Sequence, residues 1–283
     1  VSLHAFAAAV AVGLLLAVPR AAAPHHQVDF RSTFDDGTIA PWHEVQRELD
    51  RPTADSFRIV DSPRRSGAHA AMFVARQGYS DFGYDEGADL CCGPTPRESE
   101  GSDFWYAWST LFAAPWQAPY RWGIFAQWHS DFGIPPPLDF NVGADAIWVQ
   151  LHTGDVTLAD GGSWSFDHSY RIVQGVAVGR WHDFVLHVRW SATNGAVAVW
   201  HRLAGQPRLQ KVLDLRRVPT LQRLGTTVSP VYTLLGIYRA SYCGKPTELD
   251  CTSPLGVQPD TVVYHDEFRR SPTVFDWCLA CRK

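Results

Sequence analysis

Short segments in which apolar and polar residues alternate run through most of this chain, and clusters of Gly, Pro and Asp separate them. A period of two sends successive side chains to opposite faces of a strand, so each segment buries one face and wets the other. No long stretch repeats its apolar residues at helical spacing. Candidate strands cover 56–61, 70–76, 104–112, 122–129, 146–153, 181–191, 196–203, 233–239 and 261–270, with a hairpin turn signal at Asn194-Gly195. So many strands at this spacing predict an all-β, two-sheet jelly-roll sandwich. No linker or repeat interrupts them, so one domain is expected over residues 24–283.

Hydrophobic residues make up 46% of the chain and charged residues 19%, which supplies a core and excludes a disordered polymer. With 25 basic against 29 acidic residues the formal charge is −4, which excludes a general nucleic-acid binder. The apolar run 6–18 closes on Pro19-Arg20-Ala21-Ala22-Ala23, small residues of the kind a signal peptidase accepts. Residues 1–23 therefore read as a secretory signal peptide, too short for a membrane span. A secreted monomer with no membrane partner is expected.

Export places the six cysteines in an oxidising compartment. Cys243 and Cys251 bracket a short loop and suit a local disulfide. A bond between the adjacent Cys91 and Cys92 would close a strained ring. The expectation is therefore two bridges from that pair to Cys278 and Cys281, with a four-thiolate zinc site as the alternative.

The usual hydrolase and nucleotide motifs, GxSxG, HExxH, the P-loop and GxGxxG, do not occur. Twelve His include no pair at metal-ligand spacing with a third ligand nearby, so neither a metal nor a cofactor is expected. Glu44, Glu48, Glu98, Glu100 and Glu267 are scattered, a poor fit to the paired carboxylates of a glycosidase. Twelve Trp suit sugar stacking, although most should pack between the sheets.

One constellation stands out. In Trp122–His129, alternation puts Phe125, Gln127 and His129 on one face and Ile124, Ala126 and Trp128 on the core face. In 234–239, Leu235 and Ile237 suit the core, and Tyr238 points the other way beside Gly236, whose missing side chain leaves room for a ligand. Residues 264–268, Tyr-His-Asp-Glu-Phe, belong to the last strand.

These pieces, Gln127-Trp128-His129, Gly236-Ile237-Tyr238-Arg239 and Tyr264-His265-Asp266, follow Phe34-Asp35-Asp36-Gly37, Arg97-Glu98 and Phe104–Ser109 in order. Together they resemble the heparin lyase I-like and glucuronan lyase-like polysaccharide lyases, which have a concanavalin A-like jelly roll. The resemblance implies β-elimination at a uronate, with His129 and Tyr238 as the catalytic pair. Such a site needs a base, an acid and a clamp that neutralises the C5 carboxylate. Gln127, on the face of His129, and Arg97 are the substrate-binding candidates. Arg239 has the wrong parity for this role, and Tyr264 and His265 read as packing residues. Members of these families can hold a structural Ca²⁺, but no clear oxygen-ligand loop for one is readable here.

Heparin-acting relatives carry Lys four residues before the catalytic Tyr, where this chain has Leu234. A −4 chain with three Lys also matches a densely sulfated polymer poorly. The implied substrate is a more lightly charged polyuronate such as glucuronan or alginate. The rival reading is a non-catalytic carbohydrate-binding jelly roll, which would keep the aromatic groove and lack the acid–base pair.

Overall fold

The alternating segments pair into two sheets. The computed structural model describes residues 29–46, 56–77, 80–81, 85–159, 162–242, 255–275, 277, 278 and 281. Its strands are β1 (Phe30–Ser32), β2 (Glu44–Gln46), β3 (Phe57–Val60), β4 (Ala70–Ala75), β5 (Ser80–Asp81), β6 (Asp85–Glu98), β7 (Asp103–Phe112), β8 (Tyr120–Ser130) and β9 (Leu138–Val142). They continue with β10 (Ala146–Thr157), β11 (Ser163–Gln174), β12 (Trp181–Arg189), β13 (Gly195–Leu203), β14 (Gln210–Val218), β15 (Gln222–Leu224), β16 (Thr227–Val228), β17 (Val231–Ala240) and β18 (Thr261–Ser271). Sheet one runs β14-β13-β12-β7-β18-β4-β3, with β1 also on β18. Sheet two runs β16-β15-β10-β9-β8-β17-β6-β2, with β11 on β10 and β5 on β6. This is the jelly-roll sandwich that the alternation predicts.

The inner faces carry mostly aromatic and branched residues. Trp108 of sheet one stacks on Phe184 of the same sheet at 5.3 Å and meets Phe140 of sheet two edge-on at 4.9 Å. Phe112 and Phe125 join the sheets in the same way at 5.3 Å. Each such ring contributes roughly 1.5–3 kcal/mol by leaving water. Trp42, Trp108, Trp128 and Trp190 all lie in this core, so these indoles serve packing rather than sugar binding.

Two buried arginines tie the sheets together. Arg239 of β17 is 1% exposed, pairs with Glu86 at 2.8 Å and donates to Thr261 Oγ1 of β18 at 2.7 Å. Arg270 of β18 pairs with Glu98 of β6 at 3.0 Å, and Tyr106 donates to the same carboxylate at 2.8 Å. Burial pushes Glu98 up to about 7, while Arg270 opposes the shift.

Several expectations need correction. Strands β12 and β13 form the hairpin, but residues 190–194 connect them and Gly195 already belongs to β13. Glu100 holds this loop by accepting from Ser191 Oγ at 2.6 Å and from Ala192 N at 2.7 Å. Cys91 bonds Cys92, and Cys278 bonds Cys281. The predicted cross-bridges cannot form, because Cys91 is in sheet two while Cys278 and Cys281 pack on Ala107, Val185 and Trp200, on the outer face of sheet one. Packed sheets lie about 10 Å apart, far beyond disulfide reach. The same separation removes the four-thiolate zinc site.

Cys243, Cys251 and the signal segment 1–23 lie outside the described residues. No helix among the described residues is long and apolar enough to cross a membrane.

Candidate active site

The outer face of sheet two gathers the predicted residues, and β8 shows how. Ala126 and Trp128 are in the core, as alternation requires, and Gln127 and His129 take the other face. One step earlier the parity breaks. Phe125 packs in the cluster between the sheets and Ile124, though buried, does not, the reverse of the expectation. The cause is a β-bulge: Ile124 pairs with Asn141 and Ala126 with Phe140, so Phe125 is an extra residue against β9.

Strand β17 keeps its parity, with Leu235 and Ile237 in the core and Tyr238 half-buried on the outer side. Tyr238 lies 5.2 Å from Trp122, ring to ring. In register it faces Ile124, whereas His129 faces Tyr232. Five residues of β8 therefore separate the two levels, roughly 16 Å of strand. Gln127 and its partner Leu234 lie between them. His129 and Tyr238 thus share a face without touching, and the aromatic neighbour of His129 is Tyr232, at 5.7 Å between rings.

Gly236 does not open space. A Cβ there would run into the Ala88 carbonyl and the Asp89 backbone of β6. Its own carbonyl lies 2.8 Å from His265 Nε2. Gly236→Ala is therefore an overpacking change and should destabilise the fold by about 1–3 kcal/mol, read as a lower urea midpoint. An unchanged midpoint with reduced substrate binding would restore the idea of a ligand pocket.

The His129 ring has a defined tautomer. Its Nδ1 lies 2.6 Å from the Ser130 carbonyl, a contact only a donor N–H can make, so the lone pair is on Nε2. Burial pushes its pKa down, while the Ser130 carbonyl and the Asp131 carboxylate oppose this. Arg97 sits at the same end, over the Tyr232 ring at 4.7 Å. It is paired with Asp131 at 2.7 Å, so its charge is already partly answered.

The strip continues across β9 and β10 with residues the sequence reading passed over: Asp139, Asn141, Gln150 and His152. Leu138, Phe140 and Val142 face the core, which places Asp139 and Asn141 on the outer side. The signal was a five-residue alternation after Pro135-Pro136-Pro137. His265 and Asp266 are structural: His265 is buried against Thr110 Oγ1 at 3.0 Å, and Asp266 accepts from the Arg65 and Ser66 amides.

A separate cleft on the outer face of sheet one includes Arg65, Ser109, Asp183 and Arg202. Its central carboxylate, Asp183, is already taken by these three partners, at 2.8–2.9 Å. Among the described residues, Glu44, Cys91 and Cys92 are the one grouping of three metal-ligand side chains. Two sulfurs bonded to each other do not fit Ca²⁺, which takes oxygen ligands.

A family model described as polysaccharide lyase matches residues 34–269. The chain belongs to the polysaccharide lyase family. No curated protein sequence matches the lyase. Among solved structures it resembles an endo-β-1,4-glucuronan lyase from the fungus Trichoderma reesei, with a TM-score of 0.66 and 16% identity, covering 87% of this chain and 96% of the other. It also resembles a glycoside hydrolase family 131 catalytic domain from Coprinopsis cinerea, with a TM-score of 0.56, 12% identity and coverage of 88% and 98%. A β-glucanase domain of that hydrolase family from Podospora anserina gives 0.52, 11%, 87% and 93%. At such identities these likenesses establish the jelly roll and leave the chemistry to the site.

Proposed function

We propose that this lyase cleaves a uronate-containing polysaccharide by β-elimination, with His129 and Tyr238 as the proton-transfer pair and Gln127 and Arg97 binding the substrate. The observation that carries the reading is the place of Gln127. It lies on the outer face of sheet two, with His129 two residues away along β8 and Tyr238 at the other side, opposite Ile124. A polyuronate laid along β8 with one carboxylate at the Gln127 amide passes between the levels of His129 and Tyr238, and proton transfer at that one ring requires both side chains to turn toward Gln127 across the roughly 16 Å of strand between them. The base removes the C5 proton, and that bonding pair becomes the C4=C5 double bond. The C4–O4 bond then breaks, and O4 takes a proton from the acid. The amide withdraws charge from the carboxylate as the C5 anion develops.

The likeness to a glucuronan lyase supports glucuronan as the first substrate to try. Leu234 beside Gln127 and the −4 formal charge argue against a heavily sulfated polymer. The same reading has the protein exported and acting as a monomer. The test is a panel of glucuronan, alginate and heparin, followed by the ultraviolet absorbance of the unsaturated product. Absorbance should rise with glucuronan or alginate. A rise with heparin alone would overturn the lightly charged substrate, and binding without any rise would favour the non-catalytic alternative.

A further inference from the structure

Asp139 is the group on this face that the mechanism above leaves unused. It is 1% exposed, and neither carboxyl oxygen has a hydrogen-bond partner. In register it faces Gln127 on β8 and Gln150 on β10. Residues directly opposite on one face have their Cβ atoms about 4.5–5.5 Å apart, so the Asp139 carboxyl and the Gln127 amide are neighbours.

The groups around it give a carboxylate little support. On its own strand, Asn141 is committed, donating to Gln150 Oε1 at 2.9 Å and accepting from Gly123 N at 2.9 Å. From β10, His152 Nε2 stands 3.9 Å away, and its Nδ1 is engaged by Asp167 of β11 at 2.9 Å. Burial pushes His152 down, with Asp167 opposing, so this imidazole is a poor cation. On β8, His129 is likewise pushed down by burial. Burial pushes Asp139 itself well above the usual carboxylate range, with the Asn141 side chain opposing this and not overcoming it. A buried carboxylate without an ion pair or well-formed hydrogen bonds loses more by leaving water than its surroundings return, which protonation avoids.

We propose that Asp139 is a positioning residue for the clamp: as the neutral acid, its O–H donates to Gln127 Oε1 and turns the Gln127 amide N–H groups toward the uronate carboxylate. This rests on the function proposed above. The chemistry follows from what an amide offers, one acceptor end and one donor end. A substrate carboxylate needs the donor end, so something must hold the acceptor end. A carboxylate at position 139 would attract the donor end instead and turn the amide the wrong way. The neutral acid avoids this, and the bond also polarises the amide and strengthens its donors.

The test is a mutant cycle on a uronate polymer, with an infrared measurement that needs no substrate. Asp139→Ala should lower kcat/KM about 10–100-fold, the scale of one hydrogen bond serving a charged group. Asp139→Asn keeps a donor and should stay within about threefold of wild type, a rescue that loss of packing would not give. In a Gln127→Ala background, Asp139→Ala should cost nothing further, because Asp139 acts through Gln127. Losses that multiply, or an Asp139→Asn variant as impaired as Asp139→Ala at unchanged thermal stability, would overturn the proposal. At neutral pH the infrared difference between wild type and Asp139→Asn should show a protonated carboxyl band that shifts in Gln127→Ala. An absent band, or one insensitive to Gln127, overturns the proposal even if no substrate is found. A sensitive band in a protein inactive on every uronate would uphold the contact and reject the proposed function.

Discussion

Replacing Tyr238 by Phe should lower turnover on a uronate polymer on the order of 10²–10⁴-fold, the scale of losing a general acid–base group. The change deletes one hydroxyl and keeps the ring beside Trp122, at 5.2 Å, so folding and substrate affinity should survive. Tyr232 is the discriminating control. Its hydroxyl is 3.5 Å from His129 Nδ1, at the long edge of a hydrogen bond, and its ring lies under Arg97. If proximity to His129 chose the proton donor, Tyr232→Phe would give the large loss. In the reading proposed here Tyr232 only packs, and Tyr232→Phe should lose less than about tenfold, the scale of one weak hydrogen bond. Full activity in Tyr238→Phe would remove it from the mechanism.

His129→Ala should cause a loss of similar size, on the order of 10²–10⁴-fold in kcat/KM, if Nε2 takes the C5 proton. The pH profile carries the signature of that role. Burial lowers the His129 pKa, so the neutral base persists on acidification below the ordinary histidine range. Protonation then removes the Nε2 lone pair, and the acidic limb of kcat/KM should fall at a pH under that range. Alanine should abolish this limb along with most of the activity. A wild-type limb at or above the ordinary histidine value would mean that another group titrates or that His129 is not the base.

The sandwich was legible because alternation is a local property, visible wherever one face of a strand is buried. The same logic placed Gln127 and His129 on the outer face of β8 and Tyr238 on that of β17. It failed at Ile124 and Phe125, because a bulge depends on the register with β9, which no single segment records. Gly236 looked like an opening for a ligand, and the closeness of β6 that fills it is a tertiary fact. Asp139 went unnoticed because its strand is short and a lone Asp between apolar residues gives no sign of which groups will face it. The cysteine pairing was misjudged for a similar reason. Geometry disfavours an adjacent pair in general, but here the sheets keep Cys91 and Cys278 apart.

The central claim is elimination at a uronate, and the mass balance of a defined β-1,4-glucuronate oligosaccharide tests it most directly. Elimination adds nothing, so the two fragments should have masses that sum to the substrate, one of them unsaturated at its new non-reducing end. Fragments whose masses sum to the substrate plus one water would show hydrolysis and contradict the account.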